Sequence, residues 1–244
     1  MALAPSGTHR HSHDQPLTAP HLGVVIPTLN EAETLPGLLA DLEQLALARD
    51  VVVADGGSTD PTVEVARTAG ARVVTVARGR GPQLNAGAAA ARGDWLCFLH
   101  ADVRMPGTAR TELLRAVGAS IDAAVWRLAI DAGGSWPRIM EWGARLRDGL
   151  GGLPYGDQGL LVRRSLFEGL GGFPDVPIME DVGMVRALRS RVRIERLRAP
   201  LLVSPRRWQR EGPYRTWLRN SLLIAAYHAG IPPGTLVKWY REVR

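Results

Sequence analysis

Asp94-Trp95-Leu96-Cys97-Phe98-Leu99-His100-Ala101-Asp102 reads as a buried strand that runs directly into two side chains able to hold a cation. Apolar runs without alternation mark strands covered on both faces, as in parallel α/β sheets. In such sheets ligands bind beyond the carboxyl ends of the strands. His100 and Asp102 are two residues apart, so in extended backbone their side chains leave on the same face. An isolated H-x-D is also what an ordinary strand exit with a solvated acid looks like, so its meaning depends on its surroundings.

Upstream, three further strands lead toward this one. His21 to Ile26 is β-rich and ends in Pro27-Thr28-Leu29-Asn30-Glu31. Leu35, Leu38, Leu39, Leu42 and Ala46 then recur at helical spacing, which predicts a helix from about Glu31 to Ala48 capped by Thr28 or Asn30. Val51 to Ala54 forms the second strand and terminates in Asp55-Gly56-Gly57-Ser58-Thr59-Asp60. The glycines permit a tight turn, Ser58 to Asp60 supply caps, and Pro61 opens a helix to Ala69. Val73 to Val76 is the third strand. Arg78-Gly79-Arg80-Gly81-Pro82-Gln83-Leu84-Asn85-Ala86-Gly87 reads as a flexible basic loop entering an alanine-rich helix through Ala91, a place suited to an anion. The alternation of strands and helices argues for a doubly wound parallel sheet with right-handed crossovers. Its strand ends carry Asn30, Asp55 and Asp102 along one edge. A G-x-G-x-x-G after the first strand and a Walker lysine are both missing, which excludes the usual dinucleotide and P-loop sites.

Downstream the pattern predicts a helix from Gly107 to about Gly118, a strand around Ala123 to Ile130 and a helix that starts in Gly133-Gly134-Ser135-Trp136-Pro137 and runs through Leu150. Tyr155-Gly156-Asp157-Gln158 precedes a strand from Gly159 to Val162. Gly171-Gly172-Phe173-Pro174 is a turn. Met179-Glu180-Asp181 then opens a helix, where paired acids serve as caps complementing the dipole or as reacting groups. Two strands are expected near Val192–Leu197 and Leu201–Val203, followed by Ser204-Pro205-Arg206-Arg207-Trp208. A helix from Tyr214 to Ala229 carries Trp217, Leu218, Leu222 and Ala225 along one side, read as core packing. Thr235 to Val243 reads as a short basic tail helix.

The chain has 244 residues, 45% of them hydrophobic, enough for one good-sized α/β domain. Its net charge of +6 comes from arginine, Lys238 being the sole lysine, and suits an anionic partner. No nucleic-acid-reading motif is present, so no nucleic-acid partner is expected. Cys97, the one cysteine, sits in the apolar strand and reads as a small buried hydrophobe in a reducing, cytoplasmic setting. Residues 1–20, rich in Pro, His, Ser and Thr, read as a disordered tail without the apolar core of a signal peptide. No apolar run reaches the roughly 18 residues needed to span a bilayer.

Taken in order, I-P-T-L-N-E, D-G-G-S-T-D, the Gly-rich Arg/Asn loop, L-H-A-D, Y-G-D-Q, G-G-F and M-E-D resemble a family 2 inverting glycosyltransferase of the GT-A fold. The likeness is to the compact bacterial branch with H-A-D in place of D-x-D, and it spans about His21 to Trp208. It implies a Rossmann-like, mostly parallel sheet flanked by helices, with a domain over residues 21–212 and a helical C-terminal extension over 213–244. By resemblance, Pro27, Thr28, Asn30 and Glu31 flank the base and ribose of a nucleotide-diphosphate sugar. Asp55 accepts a hydrogen bond from the base, and Arg78, Arg80 and Asn85 border the phosphates. Asp102, within the His100-Ala101-Asp102 motif, holds a divalent cation, Mn²⁺ or Mg²⁺, with His100 ligating it or only hydrogen bonding. Imidazole in place of the first carboxylate suits Mn²⁺ better than the harder Mg²⁺. Asp181 matches the family's general base, with Glu180 orienting it or acting itself. Tyr155, Gly156, Asp157 and Gln158 line the donor-sugar or acceptor pocket, and Arg206 and Trp208 close over it. The function implied is metal-assisted transfer of one sugar, with inversion, to a small or lipid-like hydroxyl acceptor. Peripheral contact with an anionic membrane through the C-terminal Arg and Trp residues is a further expectation. The alternative is a catalytically inactive nucleotide-sugar-binding protein that has lost transfer through His100.

Overall fold

A computed structural model of the chain describes residues 21–149 and 156–240. Its strands are β1 (Leu22–Thr28), β2 (Arg49–Asp55), β3 (Arg72–Thr75), β4 (Trp95–Phe98), β5 (Val103–Arg104), β6 (Ala123–Ile130), β7 (Leu160–Arg163) and β8 (Ile194–Val203). The helices are α1 (Leu35–Glu43), α2 (Thr62–Thr68), α3 (Arg80–Ala90), α4 (Gly107–Gly118), α5 (Trp136–Gly149), α6 (Arg164–Gly169), α7 (Glu180–Arg189), α8 (Arg206–Glu211), α9 (Pro213–His228) and α10 (Pro233–Leu236). Residues 1–20, 150–155 and 241–244 lie outside the described residues. The expected tail and Tyr155 fall there, as do the last residues of the helix expected over Thr235–Val243, which in the described residues is shorter, ending at Leu236 in turns.

The strands form one sheet in the order β3-β2-β1-β4-β7-β6-β8-β5. β1 pairs in parallel with β2 and β4, and β2 with β3, the doubly wound half that the strand-helix alternation predicts. Beyond β4 the direction changes. β7 runs antiparallel to both β4 and β6, while β6 and β8 are parallel. The short β5 closes the far edge antiparallel to β8.

Alternation along the strands divides the core into two layers. Leu22, Val24 and Ile26 of β1 pack with Trp95 and Cys97 of β4 and with Leu35, Leu38 and Leu113 on one side. Val25, Leu96 and Phe98 pack with Leu84, Phe167, Phe173, Met184 and Leu188 on the other. Cys97 is buried, and burial pushes its thiol well above the ordinary range. Helix α3 lies so close to β1 that a Cβ on Gly87 would sit 2.3 Å from Val25 Cγ1. Val25 is fully buried and β-branched, so it cannot swing aside. Gly87→Ala therefore destabilises the fold by about 1–3 kcal/mol through overpacking. That exceeds the ~1 kcal/mol that alanine gains in a helix interior. A lowered urea midpoint at constant m-value checks it, and an unchanged midpoint would remove the close approach as a constraint.

Several local expectations are corrected. The first helix starts at Leu35, with Pro36 in its first turn, and not at Glu31. The preceding N–H groups of Asn30, Glu31 and Ala32 donate instead to the side chains of Ser58, Thr62 and Asp60, which hold this stretch open as a loop. Thr28 and Asn30 accordingly cap nothing. Most of the supposed flexible Arg78–Gly87 loop is helix, because α3 begins at Arg80 and takes Pro82 into its first turn, where a missing N–H costs nothing. The two strands expected after Val192 are one, β8, whose Pro200 falls where the register with β6 shifts between Val125 and Arg127. Bulges are where proline is tolerated within a sheet. Finally, the apolar stripe of α9 is not core: Trp217, Leu218 and Leu222 are exposed, and Thr216 and Leu223 are the side chains it buries. No helix among the described residues is long and apolar enough to cross a membrane.

Candidate active site

The start of α3, the turn after β4, α7, the β8 exit and α9 surround one cleft. At the carboxyl ends of β1 and β2, bonded to cleft-lining Gln83, stands a pair of interlocked loops that do not themselves line it. The Asn30 side-chain oxygen accepts from the N–H groups of Thr59 at 2.8 Å and Asp60 at 3.4 Å, and Asn30 itself is held at φ 56°. Left-handed backbone at a non-glycine residue is strained and persists where surrounding bonds fix it. The buried Asp55 carboxylate accepts four bonds from its own chain: from Thr28 Oγ1 at 3.1 Å, the Gly57 and Ser58 N–H groups at 2.9 Å each, and the Ser58 hydroxyl. Beneath it, buried Gln83 uses its amide NH₂ to tie the carbonyls of Thr28 and Ala54, each at 2.8 Å.

The floor is the turn after β4. The strand stops at Phe98, and Ala101–Asp102 form a turn, so the two-residue periodicity of extended backbone does not govern His100 and Asp102. Both nevertheless line the cleft. Ala101 between them turns its methyl into the core. The Asp102 carboxylate has no hydrogen-bond or ion-pair partner among the described residues. Its pKa lies above the ordinary value because of burial and nearby Glu31, against the pull of Arg207, Arg80 and Arg206. His100 faces the Arg80 guanidinium, whose Nη2 lies 2.9 Å from Nδ1 and is also in contact with Nε2. Burial, together with Arg80 and Arg207, holds its pKa well below the usual imidazole range, so the ring is neutral.

The opposite wall is the start of α7. Met179, in left-handed backbone at φ 68°, turns the chain so that Glu180 and Asp181 open the helix inside the cleft. Glu180 is buried, with Oε1 3.5 Å from Arg80 Nε. Burial raises its pKa to about 7, Arg80 opposes the rise and Asp181 adds to it. Asp181 is more open, and its Oδ1 accepts from the Val182 N–H at 2.8 Å. Arg80 is thus the hub, joining the turn after β4 to the helix that carries both acids.

The structure sorts the residues singled out from the sequence. Arg78, Arg80, His100, Asp102, Asp157, Glu180, Asp181 and Trp208 converge on the cleft. Pro27 lies within β1 beside the interlocked loops. Gly156, Asp157 and Gln158 form a 3-10 turn, with Gln158 buried. Both ends of the Asn85 amide bond the backbone of Phe173, at 2.8 Å each, so it ties α3 to the Gly171–Phe173 turn and is not among the residues lining the cleft. Arg206 pairs with Glu31 at 2.7 Å, linking the β8 exit to the first loop. Its neighbour Arg207, passed over in the sequence, lines the cleft and donates to the Tyr240 hydroxyl at 3.0 Å. Gln83 and Tyr240 were also missed. The Arg206-Arg207 doublet was a visible signal for one arginine in the cleft, whereas nothing in the sequence marked Tyr240.

Comparison with known proteins agrees with this arrangement. The family model for glycosyl transferase family 2 matches residues 23–155. An uncharacterized glycosyltransferase of Mycobacterium bovis is 33% identical over 132 residues, 51% of this chain and 59% of that protein. A PGL/p-HBAD biosynthesis glycosyltransferase of Mycobacterium tuberculosis is 35% identical over 94 residues, 35% of this chain and 37% of that protein. The matched region thus spans under two thirds of these relatives' length. Among solved structures, glucosyl-3-phosphoglycerate synthase of M. tuberculosis, in complex with Mn²⁺, UDP-glucose and phosphoglyceric acid, superposes with a TM-score of 0.62. It is 24% identical, over 87% of this chain and 81% of that one. S. aureus TarS 1-349 gives a TM-score of 0.62 at 16% identity, over 90% of this chain and 69% of that one. Both share the fold. With a family model matching more than half its length, the chain belongs to glycosyl transferase family 2.

Proposed function

We propose that the protein transfers one sugar, with inversion, from a nucleotide-diphosphate sugar to a hydroxyl acceptor. The observation that carries this reading is the convergence in one cleft of an unpartnered acid, Asp102, an acid at a helix start, Asp181, and three arginines, Arg78, Arg80 and Arg207. Direct displacement needs a base on one side of the anomeric carbon and charge stabilisation on the other. Asp181 takes the proton of the acceptor hydroxyl as that oxygen bonds the anomeric carbon. The bond to the diphosphate breaks, and the nucleoside diphosphate leaves against the guanidinium groups.

The donor set suits one divalent cation, Mn²⁺ or Mg²⁺, held by Asp102 and the diphosphate oxygens. Asp102 is an acid whose carboxylate has no hydrogen bond or ion pair among the described residues, whereas the His100 ring faces Arg80 and acts as a hydrogen-bond partner. When bound, such an ion neutralises charge on the departing diphosphate. The compared proteins, with UDP-glucose bound to one and UDP-GlcNAc bound in a complex of TarS 1-349, make uridine the first base to test. Base recognition through Asp55 requires the carboxylate to give up one of its four internal bonds, and cleft-lining Gln83, which ties the carbonyls of Thr28 and Ala54, connects that loop to the donor site. The acceptor is small or lipid-like, and the lone buried Cys97 suits a reducing, cytoplasmic setting.

Thermal melts with UDP, GDP and dTDP, each with Mn²⁺ or Mg²⁺, test the donor half. One nucleotide with metal raises the midpoint, as a ligand at a hundredfold over its Kd adds about 2.7 kcal/mol. In Asp102→Ala the metal-dependent part of that rise disappears. The midpoint without ligand does not fall, because a raised carboxylate pKa means the charged form costs folding stability. A metal-dependent rise that survives Asp102→Ala would exclude Asp102 as the anchor. Binding without transfer or hydrolysis under either metal would favour the inactive-binder alternative.

A further inference from the structure

We propose that the outer face of α5 and α9 docks on an anionic lipid surface, setting the acceptor side of the cleft against a bilayer. Every large hydrophobic side chain that lies exposed among the described residues belongs to this region. Tyr214, Leu218 and Leu222 of α9 are 59%, 54% and 61% exposed and stand one turn apart on one face. Trp217 adjoins them and lies over α5, its indole nitrogen 3.3 Å from the place a Cβ on Gly143 would take. Ile139 and Trp142, one turn apart on α5, extend the patch, and Trp239 stands exposed after α10. The patch is therefore continuous across two helices, unlike the scattered single apolar residues of an ordinary surface.

Charge selects the occupant. Arg138, Arg210, Arg215 and Lys238 are exposed around the patch, with no partner among the described residues. The described acids of these helices point inward: Glu141 accepts from the Ile130 N–H at 2.9 Å, and Glu211 pairs with Arg219 at 2.7 Å. α9 itself contains no acid. A second copy on this face would set cation against cation, whereas anionic headgroups complement the rim, and Trp and Tyr are the side chains that favour the headgroup boundary. Amphipathic helices of this kind bury their apolar face about 5–10 Å into that boundary.

The opposite side of α9 gives the docking a use. Asn220, Leu223 and Ile224 on it line the cleft. A bilayer on one side of the helix thus lies one helix diameter from the acceptor pocket, which favours an acceptor hydroxyl borne on a membrane lipid. This last step rests on the proposed transfer reaction. The docking itself does not.

Co-sedimentation of the full chain with vesicles of phosphatidylcholine, with and without phosphatidylglycerol, tests it. The protein binds the anionic vesicles, and high salt and the Arg215→Glu variant each weaken binding. Leu218→Glu with Leu222→Glu lowers the partition coefficient tenfold or more while leaving the melting midpoint with nucleotide and metal unchanged. A protein that stays in the supernatant with anionic vesicles at low salt overturns the proposal. So does a double variant that binds as well as the parent, or a dimer at sedimentation equilibrium that the double variant abolishes. Loss of sugar transfer with vesicle binding intact would count against the proposed reaction and not against the docking.

Discussion

Asp181→Asn lowers kcat by roughly 10²–10⁴-fold and leaves nucleotide affinity within a factor of a few. That is the range lost with a general base. The substitution is chosen for its geometry: asparagine keeps the oxygen that accepts from the Val182 N–H, so the turn into α7 survives and only proton affinity is lost. Asp181 is more open than Glu180 and lines the cleft, whereas Glu180 is buried and held against Arg80. Single-turnover transfer from the preferred donor gives kcat directly, and nucleotide melts give affinity. Activity within a few-fold of the parent would move the base to Glu180, and the matching Glu180→Gln variant would then carry the large loss.

Arg80→Met has the second large effect, and pH reveals it. Arg80 touches His100 and Glu180 at once, and it holds the Glu180 pKa below where burial alone would put it. In the parent, Glu180 is neutral below about pH 7 and ionised above it. If the ionised form holds Arg80 toward the diphosphate, kcat rises with pH through a limb near 7. Without Arg80 the limb moves to higher pH, because the attraction favouring the charged form is gone. Glu180→Gln abolishes it. Nucleotide affinity falls by roughly tenfold or more, the scale of one charge-assisted bond to phosphate. Stability runs the opposite way from activity: the folded state holds the Glu180 proton more tightly than the unfolded one, so stability falls as pH rises from 4.5 to about 7. A limb that stays at the same pH in Arg80→Met would separate Glu180 from Arg80.

The parallel half of the sheet was legible because each strand there is a short apolar run closed by turn formers and followed by a helix of 3.6-residue period. The second half was not legible in the same way. The antiparallel setting of β7 depends on how a four-residue strand meets β4 and β6, and no local pattern encodes direction. Pro200 and its neighbours looked like a strand break because proline cannot join a ladder, and the bulge that accommodates it exists only in the pairing with β6. At the site, the acids were visible as motifs at strand and helix ends. The bonds of Asn85 were not legible, because an amide in a Gly-rich segment looks the same whether it faces a ligand or meets a backbone 88 residues away. The α9 stripe was misread for a related reason: periodicity reports an apolar face and says nothing of what covers it.

Glu31 and Arg206 are 175 positions apart in the chain and meet through one short ion pair. During synthesis, the strands up to β4 leave the ribosome well before the segment that completes the pocket. The sheet also cannot grow past β4 until β7 has emerged. A growing chain thus has no finished place to hold a nucleotide until the β8 exit has been made, and a product cut short before Arg206 lacks the pair that ties that exit to the first loop.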